Sequence, residues 1–468
     1  MIAAMGETLH FAGVAGSGMS ALAQFHVARG GRATGSDRFF DRGEHGHIRR
    51  ALEAAGVQIV PQDGSGLAGC DGLVVSTAVE ETVPDVAAAR RNGVPILHRS
   101  DLLARFVAAH RTIAITGTSG KSTVTAMTFE ILAAAGLDPS VLSGAELPLL
   151  QARGLLGNAY AGSGELLVIE ADESDGSVVK YLPWMGLVLN LHRDHKEPAE
   201  LLTMFQEFRR NTRGPFAVSS DAELDSLGAG SIRFGIASPG MSGRSDRVPR
   251  TVVEAADVRL LAEGSFFRIE SVAFDLPVPG LHNVFNAVAS TTAALQAGVS
   301  LAHCAEGLRS FGGVARRFQS HGVARGIEVV DDFAHNPHKI EAALRTAQAR
   351  GERVLAIFQP HGFGPTRFIR DELVDMLART IRPTDVFWML EIFYAGGTAQ
   401  KNLSSRDIVR DLEERNVDAR FAESRKALVE EIARSARTRD LILVMGARDP
   451  SLPGLCEEIL DAVRATAS

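Results

Sequence analysis

Cysteine is nearly absent: Cys70, Cys304 and Cys456 are the only three in 468 residues, far apart and in neither a metal-ligand spacing nor a disulfide framework. A disulfide scaffold and a cysteine-built metal centre are therefore excluded, and the thiols read as reduced. Basic charge is also short, with 49 Lys and Arg against 56 Asp and Glu for a net charge of −7, and aromatics make up only 6%. With no basic stripe, a surface that neutralises nucleic-acid phosphates is excluded as well. No run approaches the roughly 18 apolar residues of a membrane helix. Met1 to Thr8 lacks the basic start and apolar stretch of a signal peptide, so the expected compartment is the cytoplasm, with no membrane partner. Low-complexity tracts and repeats at solenoid periods are missing too. What remains is the composition of a soluble globular protein, 45% hydrophobic and 22% charged, whose length predicts about three domains.

Short apolar runs alternate with helical-period segments along nearly the whole chain, which predicts an α/β fold of parallel strands joined by crossover helices. Three blocks separate. The first, residues 1–110, opens with a predicted strand from Leu9, a turn Gly13 to Gly18, a helix from Met19 and a second strand ending near Asp37. The second, residues 111–312, opens with a strand from Thr112, turns through Gly117 to Gly120, and enters a helix that Gly136 would close in the left-handed conformation. Between Val258 and Leu276 the pattern predicts antiparallel strands at one edge. The third, residues 313–468, predicts buried strands beginning at Val354, Val386 and Leu441 in a doubly wound sheet.

Three segments carry chemistry. Gly117-Thr118-Ser119-Gly120-Lys121-Ser122-Thr123 lies between a predicted strand and helix. Its glycines let backbone amides face an anion, Lys121 can reach terminal phosphates, and the Ser122 hydroxyl can ligate magnesium, which makes it the expected ATP site. The loop is a variant, because its nearest upstream glycine is Gly117, where the general pattern places one earlier. Gly13-Val14-Ala15-Gly16-Ser17-Gly18 is again a strand-to-helix turn, with Asp37 following 19 residues after Gly18. That spacing fits a dinucleotide fingerprint with the carboxylate on a ribose, although Ala15 replaces the middle glycine; an anion site or a plain turn fits equally. Glu170-Ala171-Asp172-Glu173-Ser174-Asp175 and Asp194-His195 follow two further apolar strands, so two strand ends can bring carboxylates and an imidazole beside the phosphate loop. A solvated acidic loop and a surface histidine are the alternative.

Taken together and in order, these segments resemble the Mur ligases, ATP-dependent enzymes that add amino acids to a UDP-muramoyl precursor of peptidoglycan. The resemblance runs over nearly the whole chain and is strongest to the alanine-adding branch. It rests on Gly16 to Ser20, Gly35 to Asp37, Val75 to Ala78, Glu170 to Asp175, His282 to Asn286, Arg316 to Phe318, Asp331 to His335 and Phe358 to His361. It implies a Rossmann-like N-terminal domain for the UDP-sugar, a central P-loop ATPase domain and a Rossmann-like C-terminal ligase domain. By similarity Lys121 holds the transferring phosphoryl group, Ser122 one magnesium ion, and Glu170 with His195 a second, with Glu173 as an additional ligand. The ATP site would comprise the loop Gly117 to Thr123, Asn283 and Asn286 on the adenine side, and Arg317 and Asp332. Gly16, Ser17, Gly18, Asp37, Ser76, Thr77, His335 and Arg367 are the implied substrate contacts. The implied partners are UDP-N-acetylmuramate and an amino acid or short peptide, with ATP and Mg2+ as cofactors and a monomer or homodimer as the assembly.

The chain departs from that branch at Ser119, usually His, and at Ser122, usually Thr. Gly362 and Pro365 stand where arginines are usual near the incoming amino acid. Arg367 is a nearby substitute, and a relative that attaches a recycled tripeptide is the nearest alternative. Two readings of other classes remain: a nicotinamide-dependent oxidoreductase built on Gly13 to Gly18 with Asp37, and a nucleotide-binding regulator without turnover.

Overall fold

Parallel strands buried on both faces read as unbroken apolar runs, and here they assemble three sheets in a computed structural model that describes residues 6–192, 196–237, 252–394 and 400–466. The first sheet contains β1 (Thr8–Ala12), β2 (Arg32–Ser36), β3 (Val57–Ile59), β4 (Gly72–Val75) and β5 (Ile96–His98), all parallel, in the order β3-β2-β1-β4-β5. The change of direction on either side of β1 opens a crevice beyond its carboxyl end, where the Gly13 to Gly18 turn leads into α1 (Ser17–Ala28). Helix α2 (Arg99–Ala109) then leads out of the sheet.

The second sheet begins at β6 (Arg111–Thr116), followed by β7 (Ser140–Leu142), β8 (Ala159–Tyr160), β9 (Leu166–Glu170), β10 (Met185–Val188), β11 (Phe216–Ser219) and β12 (Ile232–Ile236). It ends in β13 (Val252–Leu260), β14 (Ser265–Ile269) and β15 (Val272–Leu276). The last two strands run antiparallel in a meander from β13, which is the edge that the alternating pattern predicts. Helix α3 (Lys121–Ala134) follows β6, and Gly136 just beyond it has φ +76°, the expected left-handed stop. Helix α4 (Leu281–Gln296) packs against α3, and both contribute to one core with Ile113, Val168 and Leu187. The first two sheets share a second core, in which Phe11 and Phe25 meet Phe106, Leu167 and Tyr181.

The third sheet joins β16 (Gln319–Ala324), β17 (Ile327–Asp332), β18 (Arg353–Gln359), β19 (Val386–Met389), β20 (Ala419–Phe421) and β21 (Asp440–Gly446) in the order β16-β17-β21-β18-β19-β20. β21 inserts between β17 and β18, so the loops after all three strands end on one edge. Met1–Leu260 and Gly264–Val314 form one compact unit with the first two sheets, and Ala315–Ser468, with Leu261–Glu263, form another. β10 ends at Val188, with the Leu189 amide still donating to Thr116 O of β6 at 2.9 Å, and Asn190 then turns to the phosphate loop.

Candidate functional site

The phosphate loop is built by β6 and α3. Gly117 and Gly120 have φ +133° and +87°, and a Cβ on Gly120 would stand 2.6 Å from Asn286 Oδ1, so only glycine lets α4 come this close. Asn286 is thus brought to the loop, while Asn283 on the same helix donates to the Pro279 carbonyl at 2.7 Å. The Thr118 side chain turns inward. Asn190 Oδ1 accepts from Thr118 Oγ1 and from the Ser119 amide, both at 2.9 Å, and its Nδ2 donates to Ser119 O at 3.1 Å. Asn190 is a positioning residue that local motif reading misses, since its partners are 71 and 72 residues away in sequence. Asn190→Ala leaves the buried Thr118 hydroxyl without its acceptor and should cost about 1–3 kcal/mol of stability. The expected kinetic result is a KM for ATP raised about tenfold, checked by steady-state phosphate release.

Lys121 lies almost wholly inside. Its Nζ donates to Gly117 O at 2.8 Å and to Glu173 Oε2 at 2.7 Å, with Asp172 Oδ1 at 4.0 Å. Burial alone would lower its pKa, but Glu173, then Asp172 and Glu170, carry it above the ordinary lysine value, so the ammonium stays charged. Ser122 Oγ donates to Glu170 Oε2 at 2.9 Å, and the same oxygen accepts the Gly144 amide at 2.9 Å. A Cβ on Gly144 would come within 3.0 Å of that carboxylate, so the space in front of Glu170 is kept by a glycine. The hydroxyl and carboxylate oxygens form a hard-donor pair that fits magnesium. Glu173, expected as a further metal ligand, is paired with Lys121 in this structure, because burial demands a partner for each charge. The expected ligand His195 lies outside the described residues.

The second anion loop is shaped by Asp37. Its carboxylate accepts the Ala15 amide through Oδ2 and the Phe39 amide through Oδ1, both at 3.0 Å, and the residue is 4% exposed. The Asp37 carboxylate, expected on the ribose side of a bound nucleotide, thus also holds the loop and caps the next turn, with one amide on each oxygen. Gly16 begins α1 with no side-chain cap, and the helix has no acidic residue in its first turn, leaving amide hydrogens for an anion at Ser17 and Gly18. The Ser17 carbonyl accepts Asn158 Nδ2 at 2.8 Å, which ties this loop to β8. Ser76 and Thr77 lie in the exposed turn after β4, and Val79 of that turn is 3.5 Å from the Cβ position of Gly13.

In the second unit, the loops after β17 and β18 bring His335 and His361 to a ring separation of 5.5 Å, with Lys339 Nζ 3.5 Å from His335 Nε2. Burial, reinforced by Lys339, holds the His335 imidazole well below its ordinary pKa and therefore neutral. Asp332 accepts the Phe318 and Ala334 amides at 2.7 Å each, and burial pushes its pKa up to about 6 despite Arg317. Arg317 stacks over Phe333 at 5.0 Å. Arg367 donates to Asn402 Oδ1 and reaches Gln400 O at 3.5 Å, so its guanidinium braces a neighbouring loop.

Two glycine-rich strand-to-helix turns, a buried ammonium and a hydroxyl–carboxylate pair define a nucleotide-binding protein of the phosphate-loop class. The chain belongs to the Mur ligase family. Residues 8–111 match the family described as Mur ligase family, catalytic domain, and residues 316–448 match Mur ligase, glutamate ligase domain. A UDP-N-acetylmuramate--L-alanine ligase of Paenarthrobacter aurescens is 34% identical over 458 residues, 95% of each chain. Among solved structures, UDP-N-acetylmuramate-alanine ligase MurC of Thermotoga maritima is similar with a TM-score of 0.78 and 25% identity, covering 98% of this chain and 99% of its own. A murein peptide ligase of Psychrobacter arcticus shares the fold with a TM-score of 0.70 at 22% identity, covering 98% and 99%.

Proposed function

We propose that this chain is an ATP-dependent, ADP-forming ligase that joins an amino acid, L-alanine foremost, to UDP-N-acetylmuramate in the cytoplasmic synthesis of peptidoglycan precursor. Residues 1–110 would bind the sugar nucleotide, 111–312 ATP, and 313–468 the amine donor. A carboxylate is a poor acyl electrophile. Transfer of the γ-phosphoryl group to it makes an acyl phosphate; attack by the amine then forms the amide and releases inorganic phosphate. Both reactants of the first step are anions, so cations must offset their repulsion. The observation that carries this reading is Lys121, held charged on the phosphate loop beside the Ser122–Glu170 pair. Lys121 would exchange Glu173 for phosphate oxygen. Ser122 and Glu170 would hold magnesium, which supplies further neutralisation of phosphate charge when bound. The amides beginning α1 support a diphosphate, and the Lys339 ammonium beside the His335 and His361 rings supplies a cation and two imidazoles for the donor side.

A second reading, ligation of a recycled short peptide, is favoured by one observation: Gly362 and Pro365 open the helix Phe363–Thr380 without a guanidinium, and Arg367 is engaged elsewhere. One assay addresses both. Enzyme, ATP, magnesium, UDP-N-acetylmuramate and hydroxylamine should yield an acyl hydroxamate, and a panel of amino acids and short peptides should show phosphate release with L-alanine ahead of tripeptides. Absence of hydroxamate and of phosphate release with every donor refutes a ligase; preference for a peptide selects the second reading.

A further inference from the structure

Arg99, the first residue of α2, belongs to the first sheet's module yet ends beside the acidic run that follows β9 in the second. Its NH2 is 2.7 Å from Asp175 Oδ2 and 3.8 Å from Asp172 Oδ2, and its side chain is 22% exposed. Its NH1 lies 3.3 Å from where a Cβ on Gly18 would stand, so the absence of a side chain there gives the guanidinium its berth. Asp172 therefore stands between two cations, with one oxygen toward Arg99 and the other 4.0 Å from Lys121 Nζ.

The charge balance makes this arrangement consequential. Glu170, Asp172, Glu173 and Asp175 place four carboxylates around a loop that must accept a polyanion, and the cations in ion pairs with them among the described residues are Lys121 and Arg99. Interactions across such a partly buried cluster are screened far less than on an open surface. Without Arg99, Asp172 and Asp175 would add uncompensated repulsion toward nucleotide and compete for the lysine.

We propose that Arg99 is a positioning residue for phosphoryl transfer, neutralising Asp172 and Asp175 so that Lys121 can leave Glu173 for the nucleotide phosphates. This rests on the ligase reading above. Arg99 acts through these carboxylates, and its position couples nucleotide affinity in one module to a side chain of its neighbour.

The test uses the full chain with Mg-ATP, UDP-N-acetylmuramate and the preferred donor, reading phosphate release. Arg99→Gln is expected to raise the KM for ATP about tenfold, and Arg99→Gln with Asp175→Asn to recover at least half of that loss on a logarithmic scale, because the stranded carboxylate is then gone. Were Arg99 only a mechanical clamp between modules, the double variant would be no better than the single one, and that result overturns the proposal; so does an unchanged KM in Arg99→Gln. Should Arg99→Gln not fold, Arg99→Lys carries the test: retained charge should keep the KM for ATP within about threefold, and a tenfold rise in a folded Arg99→Lys overturns the electrostatic role. Wild-type protein that neither binds ATP nor releases phosphate refutes the ligase reading, a result distinct from either variant outcome.

Discussion

Lys121→Ala is expected to lower ATP-dependent phosphate release by about three orders of magnitude, the scale on which pre-organised cations contribute to phosphoryl transfer. The ammonium reaches its place through a four-carbon stem anchored on α3, and the Gly117 carbonyl at 2.8 Å keeps it aimed across the loop. Lys121→Arg should not restore activity, because a planar fork cannot occupy a berth bounded by Gly117 O at 2.8 Å and Glu173 Oε2 at 2.7 Å. Truncation also leaves Glu173 buried without its cation, so a parallel loss of stability of a few kcal/mol is expected. Kinetics should therefore be measured at a temperature where circular dichroism shows both variants folded. Residual activity within tenfold of wild type in a folded Lys121→Ala protein would remove the ammonium from the chemistry.

Glu130→Gln is expected to make the protein more stable at alkaline pH and to change little in acid. Glu130 lies on α3, 5% exposed, with Oε1 buried and lacking a hydrogen-bond partner, and burial pushes its pKa up to about 8, opposed only by Arg153. The folded state thus holds this proton more tightly than the unfolded chain, whose carboxyl titrates near 4.5. Its contribution is fully present below pH 4.5, declines as pH rises, and is lost above about 8. At about 1.4 kcal/mol per unit, the linkage sets a ceiling of about 4 kcal/mol on what the amide can recover at pH 8. Urea unfolding of both proteins at pH 5 and pH 8.5 checks this: the two stabilities should converge in acid and diverge in base. Parallel pH profiles would show that Glu130 is not protonated in the native state.

What could be read in advance divides by range. The phosphate loop, its helix and the left-handed stop at Gly136 are legible because each depends on neighbours within a few residues. The antiparallel edge is legible because alternation has a period of its own. Asn190 and Arg99 are not, since nothing local in Leu189-Asn190 or His98-Arg99 announces partners 71 and 76 residues away. Asp37 has structural partners that its spacing does not announce. Its spacing after a glycine-rich turn fits a ribose ligand, and the peptide amides of Ala15 and Phe39 also claim its oxygens. Glu173 likewise carries the right atoms for a metal ligand and is paired in this structure with the nearest buried cation.

The order of residues by itself determined which chemical groups this protein owns: a lysine and a hydroxyl at a strand-to-helix turn, a carboxylate run at another strand end, and two histidines after strands of the last sheet. Those are consequences of backbone periodicity and of what glycine permits at positive φ. Tertiary structure alone decided how the charges are apportioned. Burial removes the water that would otherwise share each charge, so a buried group either settles with an opposite charge that the packing of sheets brings within reach, as Lys121 does with Glu173, or is held neutral, as Glu130 is.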